Sequence, residues 1–145
     1  MFKPFVCSLL TLMIFITPVQ ASIYANARAY IGLHERKHTV SIQKITKVNP
    51  RKVPWCAAFL NSILRKSGKK TTGSLSAASF RNYGKKVIKP VKGDIVVLKG
   101  HVGIFVGFVT RKGKKYVAVL GGNQSNSVKV SHYPVSRVVT YRRAV

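Results

Sequence analysis

Cys56 is the residue of this sequence best suited to nucleophilic chemistry. It follows Pro54 and Trp55 and opens a segment whose apolar residues repeat at helical spacing. The unpaired N–H groups and the dipole at a helix N-terminus favour a thiolate, and a nearby imidazole would lower the pKa of the thiol further. The alternative is a buried structural cysteine, which is common for this residue type. The pattern makes Cys56 a candidate nucleophile of a cysteine hydrolase.

Such a nucleophile needs a base, and His101 is the histidine placed best for that role. It follows Gly100 at the start of an apolar strand, from which its ring can lean towards a helix packed on the sheet edge. The base needs a polar group on its second ring nitrogen, which fixes the tautomer and stabilises the imidazolium. Asn123 is the first candidate for that group and Gln124 is the alternative. Otherwise His101 is a solvated histidine at the sheet rim and Asn123 a turn residue.

A rival motif lies at 34–38, where His34, Glu35 and His38 match the HExxH zinc pattern. That pattern works on a helix, where both rings share one face and the glutamate serves as base. Here Gly32 precedes the motif, two cations separate the ligands, and Asp94 is the only other acid for a third ligand. We therefore expect no metal site and no cofactor.

Several short motifs follow one another along the chain. They are PWCAAF at 54–59, GS at 73–74, ASFRNYG at 78–84, KGDIVV at 92–97, GHVGIFVG at 100–107, LGGNQ at 120–124, YPVSR at 133–137 and YR at 141–142. In order and spacing this set resembles the CHAP and NlpC-like peptidoglycan amidohydrolases, in particular a small subfamily of phage lysins and bacterial secreted proteins. The likeness extends from about Ala27 to Arg143.

The resemblance implies a papain-like fold and hydrolysis of an amide bond in peptidoglycan through a thioester acyl-enzyme. It implies that Cys56 is the nucleophile, His101 the general base and then the general acid, and Asn123 the polar third member. The oxyanion hole would include the backbone N–H of Cys56. The residues expected to contact the substrate are Trp55, Gly100 and Gln124. Family members carry more acids before the cysteine than the segment at 47–53 does, so substrate preference is expected to differ.

The elements that must hold these residues form an α+β layout, with helices first and an antiparallel meander afterwards. The spacing predicts helices at 23–33 and 55–66 and a short one at 74–83, with the basic segment 34–54 irregular between the first two. Gly68 lies where the second helix should be capped, and Asp94 is interpreted as a turn-capping residue. About five strands are predicted, at 94–98, 101–109, 116–120, 128–130 and 137–142.

The charge is extreme, because 26 Lys and Arg residues face only Glu35 and Asp94. Much of it is clustered, at 65–70, 85–86, 89–92 and 111–115. Such a surface binds polyanions, which outside a cell means anionic envelope polymers or the surface of an acidic membrane. The alternative interpretation is that these clusters are solvated turns that keep the protein soluble. No specific nucleic-acid binding is expected, since the chain has no aromatic-interleaved basic motif of the RNA-binding kind.

The first 21 residues have the layout of a secretory signal. Lys3 precedes an apolar run of about 15 residues, and Val19 and Ala21 place small residues at the −3 and −1 positions of a cleavage site. The run is shorter than the roughly 20 residues of a spanning helix. We expect cleavage after Ala21, a secreted or periplasmic protein, and one catalytic domain at 22–145 that acts as a monomer. Removal of Cys7 with the signal would leave Cys56 without an internal disulfide partner.

Overall fold

The computed structural model describes Pro4 and residues 18–145. Over these residues the chain is an α+β protein with helices preceding a six-stranded antiparallel sheet of order β1-β6-β2-β3-β4-β5. The helices are α1 (Pro18–Arg28), α2 (Thr39–Thr46) and α3 (Cys56–Lys66), and short 3-10 helices lie at Ala77–Asn82 and Val135–Arg137. The strands are β1 (Lys85–Val87), β2 (Ile95–Leu98), β3 (His101–Arg111), β4 (Lys114–Gln124), β5 (Ser127–Pro134) and β6 (Val138–Arg143).

Helix α3 is the central helix, and its sequence explains its position. All residues from Cys56 to Leu64 are buried, and only the basic last turn reaches solvent. The helix packs on β3 and β4 on one side and against α1 and α2 on another. Gly68 follows the helix with φ +71°, as the sequence predicted for a C-terminal cap. Burial on several sides fixes the first turn of α3, and with it Cys56.

The sheet buries both of its faces, because its strands alternate between two apolar clusters. On β2, Ile95 and Val97 join the main core beneath the helices, whereas Val96 and Leu98 join a second cluster on the outer face. The outer cluster is completed by Phe105, Val117 and Val119, with Tyr133, Val138 and Tyr141 packed around it. The start of β3 is therefore held between two packed layers.

The prediction for the second half of the chain was mostly correct, and it differs from the structure at one helix and one strand. The predicted third helix at 74–83 is a 3-10 helix at Ala77–Asn82. The sixth strand is β1, whose three residues include two lysines and carry no apolar alternation. It forms because Lys85 to Val87 pair with Arg143 to Tyr141 at the end of β6.

The prediction for the N-terminal half was less accurate. The first helix ends at Arg28, earlier than expected, and is followed by turns that lead to Gly32 at φ +102°. The segment 34–54 is not irregular throughout, because α2 spans Thr39 to Thr46. Its β-branched residues disfavour a helix in isolation, so burial of Ile42 and Thr46 against the core stabilises it.

Most of the predicted signal segment 1–21 lies outside the described residues. Of the part that is described, residues 18–21 form the first turn of α1, and Gln20 is buried. Gly93 packs so closely on the Gln20 carbonyl that no larger residue would fit there. Cleavage after Ala21 stays a prediction. In the described part of the chain, no helix is long and apolar enough to cross a membrane.

Candidate active site

Cys56 is the first residue of α3 and its thiol is free. Its sulfur lies at the start of β3, within reach of the backbone amide of Val102 and of the amides of Ala57 and of Cys56 itself. Cys56 is also almost completely buried, with 5% of its surface exposed. The fold therefore brings this thiol next to the residue that follows His101 and surrounds it with backbone N–H groups.

His101 is held by the side chain of Gln124. The His101 Nε2 atom lies 2.9 Å from Gln124 Oε1, and the Tyr133 hydroxyl donates to the same oxygen over 3.0 Å. The other end of the amide faces the carbonyl oxygens of Val119 and Lys129, so it must be the NH2 group. Gln124 Oε1 is thus an acceptor, and neutral His101 carries its proton on Nε2. Its Nδ1 atom, which has no hydrogen-bond partner among the described residues, is left to accept a proton.

A β-bulge explains why Gln124 and not Asn123 contacts His101. Strict alternation along β4 would put Asn123 on the same side as Gly121, whose Cβ position would lie 3.4 Å from His101 Nε2. The register with β5 shifts between Gly121 and Gln124, and Asn123 adopts φ +56°. This left-handed residue moves the next side chain to the Gly121 side. The prediction that Asn123 is the polar partner of His101 is therefore corrected, and the alternative of Gln124 fits the geometry.

The glycine pair before the bulge allows the strand to approach the nucleophile helix. A Cβ on Gly122 would lie 2.8 Å from Phe59 Cβ and from Trp55 Cζ3. Such distances are shorter than van der Waals contact, so a side chain at 122 would push β4 away from α3. Gly122 thus sets the separation between the helix that carries Cys56 and the strand that carries Gln124, while Gly121 leaves room for His101 and Gln124.

Burial sets the resting ionisation of the two groups. It raises the pKa of Cys56 above the ordinary value of 9.0, although the amides of Val102, Ala57 and Cys56 act in the opposite direction. It also lowers the pKa of His101 below 6.5; the hydrogen bond that His101 donates to Gln124 opposes this shift and the charge of Arg137 adds to it. Both shifts favour the uncharged forms of Cys56 and His101. The amides at the helix N-terminus favour the thiolate, as the sequence predicted, but burial is the larger cause.

The three residues expected to contact substrate lie in different surroundings. Trp55 is completely buried, which corrects the expectation for this residue, because a substrate cannot reach it. Gln124 is also buried, and its amide is fully used in positioning His101. Gly100 is exposed in the turn before His101, with φ +74°, and is accessible to a ligand.

The HExxH segment at 34–38 is a turn and not a helix. His34 Nδ1 accepts the Arg36 N–H at 3.1 Å, and His38 Nδ1 accepts the His34 N–H at 2.9 Å. Glu35 Oε2 accepts the Trp55 Nε1–H at 3.2 Å. Both histidines and the glutamate of the motif are therefore engaged in hydrogen bonds within the fold. The described residues contain no group of three or more His, Cys, Asp or Glu that could hold a metal ion.

Three residues near the site were not recognised in the sequence as parts of it. Glu35 anchors Trp55, the residue before the nucleophile. Tyr133 stacks at 5.6 Å from the His101 ring, and Arg137 lies over the Tyr133 ring at 5.4 Å. The motif YPVSR contained the last two, but no local pattern indicated that β5 would bring them to the start of β3.

The chain was compared with family models, curated proteins and solved structures. None of the three comparisons found a match. The function therefore has to be argued from the site itself.

Proposed function

We propose that the protein is an exported cysteine amidohydrolase with a papain-like fold of the CHAP and NlpC type, which hydrolyses an amide bond in peptidoglycan. The observation that carries the proposal is the Gln124 amide, whose NH2 end is fixed by two carbonyls so that its oxygen orients His101. A histidine held through Nε2, with Nδ1 left without a partner, one residue before the Val102 amide that the Cys56 sulfur reaches, suits nucleophilic catalysis. The motif resemblance supplies the substrate class.

The reaction would begin from the uncharged pair. As Cys56 Sγ attacks the carbonyl carbon, its proton passes to His101 Nδ1, and the C–S bond forms while the carbonyl π electrons move to oxygen. Backbone N–H groups at the start of α3, including that of Cys56, would stabilise the oxyanion. Gln124 Oε1 accepts the Nε2–H and so stabilises the imidazolium that forms.

Breakdown of this intermediate cleaves the C–N bond. His101 returns its proton to the departing nitrogen, and the acyl group stays on Cys56 as a thioester. Water then attacks the thioester while His101 removes one of its protons; the C–S bond breaks, His101 returns that proton to Cys56 Sγ, and the product leaves as a carboxylic acid that ionises in solvent. No cofactor is required for any of these steps.

The basic surface supports a second, compatible role in holding the protein on the envelope. The net charge is +24, and both acids of the chain are engaged, Asp94 by Arg143 and Glu35 by Trp55. Most of the cationic side chains therefore face solvent without a carboxylate partner in the chain. We propose that they bind anionic envelope polymers, in which case attachment to cell walls should weaken as salt is raised.

The function is tested by digestion of purified peptidoglycan with mass spectrometry of the soluble products. The protein is expected to release fragments with a new amine and a new carboxylate, and Cys56→Ala is expected to release none. The variant also serves as the matched control for attachment, because it should bind walls as the wild type does. Killing or wall release that persists in Cys56→Ala would instead indicate a cationic binding module that does no chemistry.

A further inference from the structure

Arg137 is a cation fixed at the edge of the candidate site. It lies in the 3-10 helix between β5 and β6, and its guanidinium stacks over the Tyr133 ring at 5.4 Å. Tyr133 in turn donates a hydrogen bond to Gln124, and its ring packs at a tilt against that of His101, with the centroids 5.6 Å apart. The stacking restricts the side chain of Arg137, so this charge is more localised than that of a freely rotating surface lysine.

No carboxylate of the chain neutralises this guanidinium. The chain has two acids; Asp94 forms the single salt bridge found within the described residues, with Arg143, and Glu35 bonds to Trp55. Arg137 is exposed. Its planar fork of N–H donors matches a carboxylate, which it can bind through two parallel hydrogen bonds. The site therefore offers a positioned, unpaired guanidinium to any ligand that reaches Cys56.

We propose that Arg137 binds a carboxylate of the substrate and gives the site a preference for amides that carry a carboxylate close to the scissile bond. This proposal rests on the function proposed above and narrows its substrate class. Stem peptides of the wall provide such groups, as free carboxylates next to their peptide bonds. A substrate in which that carboxylate is amidated or missing would lose the interaction.

The charge of Arg137 already acts on the site. After burial, it is a further cause that lowers the pKa of His101, and it also lowers the pKa of Tyr133 against the dominant effect of burial there. A bound carboxylate would offset the charge of Arg137. The contribution of Arg137 to the lowered pKa of His101 would then fall, whereas burial, the largest cause, would remain.

The binding step can be tested without any hydrolysis. Iodoacetate and iodoacetamide alkylate the same thiol, and only iodoacetate carries a carboxylate. Both rates are proportional to the fraction of thiolate, so this fraction cancels when the two rates are divided at one pH. In Arg137→Gln the ratio of the iodoacetate to the iodoacetamide rate should fall about three- to tenfold. In Arg137→Lys, which keeps the charge without the fork of N–H donors, the ratio should fall less than in Arg137→Gln.

Lys115→Gln is the matched control. Lys115 is also an exposed cation stacked on an aromatic ring, at 4.0 Å from the Phe108 centroid, and its loss changes the net charge equally. Its rate ratio should stay within about 1.5-fold of the wild type, because exposed distant charges are screened. An equal fall in both variants, or no fall in Arg137→Gln, would overturn the proposal, provided that thermal melting shows both variants folded.

Paired peptide substrates, with the carboxylate free or amidated, separate this proposal from the proposed function. The wild type should have the higher kcat/KM on the free acid, mainly through KM, and Arg137→Gln should lose the preference. Hydrolysis without a preference would refute the carboxylate site and leave the amidohydrolase intact. If the alkylation ratio depends on Arg137 but no amide is hydrolysed, the proposed carboxylate site is supported and the proposed amidohydrolase activity is refuted.

Discussion

Two histidine regions of this protein contrast in how the fold uses their ring nitrogens. In the turn at 34–38, His34 and His38 both accept backbone N–H groups through Nδ1, so in the neutral tautomer Nε2 carries the proton and has no lone pair. At the start of β3, His101 donates through Nε2 to Gln124, and its Nδ1 lone pair has no partner among the described residues. The first region thus uses the acceptor nitrogens of its histidines in local structure, and the second leaves its acceptor nitrogen without a partner.

The difference shows that the spacing of a motif is less informative than the hydrogen bonds around it. The HExxH spacing is present at 34–38, but Glu35 is bonded to Trp55, and its backbone N–H donates to Asn126 O at 2.9 Å. The turn thereby joins the end of β4 and the start of β5 to the residue before Cys56. These bonds hold the turn against the residue before helix α3.

The largest predicted effect is on the rate of peptidoglycan hydrolysis, and it should differ between variants of the two histidine regions. Cys56→Ala and His101→Ala should each lower peptidoglycan hydrolysis by about 10³-fold or more, because the nucleophile and its base act as a unit. His34→Ala combined with His38→Ala should retain activity within a few-fold, apart from any loss of stability. Initial rates on one peptidoglycan preparation measure this, and an inactive but folded double variant would contradict it.

The next prediction concerns the partner of His101. Gln124→Ala should lower kcat by about 100-fold or more, because the imidazole would lose its fixed tautomer and the acceptor that stabilises its charge. Asn123→Gly removes the competing side chain while keeping a backbone that glycine adopts freely at φ +56°. It should change kcat less than about threefold. Equal losses in the two variants would indicate that Asn123 contributes to the site after all.

A smaller effect is expected at Glu35. Glu35→Ala should lower the free energy of unfolding by about 1–2 kcal/mol, since the buried Trp55 Nε1–H would lose its acceptor. Glu35→Gln keeps an acceptor oxygen and should restore most of that stability, with nearly normal hydrolysis. Urea denaturation and initial rates measure the two quantities. A folded Glu35→Gln protein without activity would favour Glu35 as the base of a zinc enzyme.

The smallest change is a shift in a titration. The rate of iodoacetamide alkylation of Cys56 follows the thiolate, and burial raises the pKa of this thiol above 9.0. The alkylation rate in the folded protein should therefore rise with a midpoint above pH 9, and in the urea-unfolded protein near pH 9. A folded-state midpoint below pH 7 would show a preformed thiolate–imidazolium pair and refute the uncharged resting state.

The sequence predicted the parts of the fold that depend on local patterning. The helix at Cys56–Lys66, its glycine cap and the meander from β2 to β5 were predicted from apolar periodicity and turn residues. The prediction that the meander includes the last strand was wrong, because β6 crosses over to pair with β2. Asp94 accepts the Val91 N–H at 2.8 Å, as expected of a turn-capping residue. The helix at Thr39–Thr46 and the strand at Lys85–Val87 were missed because burial and pairing with β6, rather than propensity, stabilise them.

Two members of the proposed site were predicted from the sequence, and the partner of His101 needed the structure. Cys56 and His101 stand out by their positions at the start of a helix and of a strand. The choice between Asn123 and Gln124 depends on a bulge, and a register shift of one residue leaves no simple mark in the sequence. The hydrogen bond from Trp55 to Glu35 and the stacking of Arg137 on Tyr133 join distant segments, so local patterns could not predict them.

The most direct test of the central claim is peptidoglycan hydrolysis after pretreatment with iodoacetamide or with EDTA, with the products identified by mass spectrometry. Alkylation of Cys56 should abolish fragment release, EDTA should leave it unchanged, and the product masses should identify the bond. If EDTA abolishes release and alkylation of Cys56 does not, the chemistry belongs to the His34–His38 turn, and the cysteine mechanism is wrong.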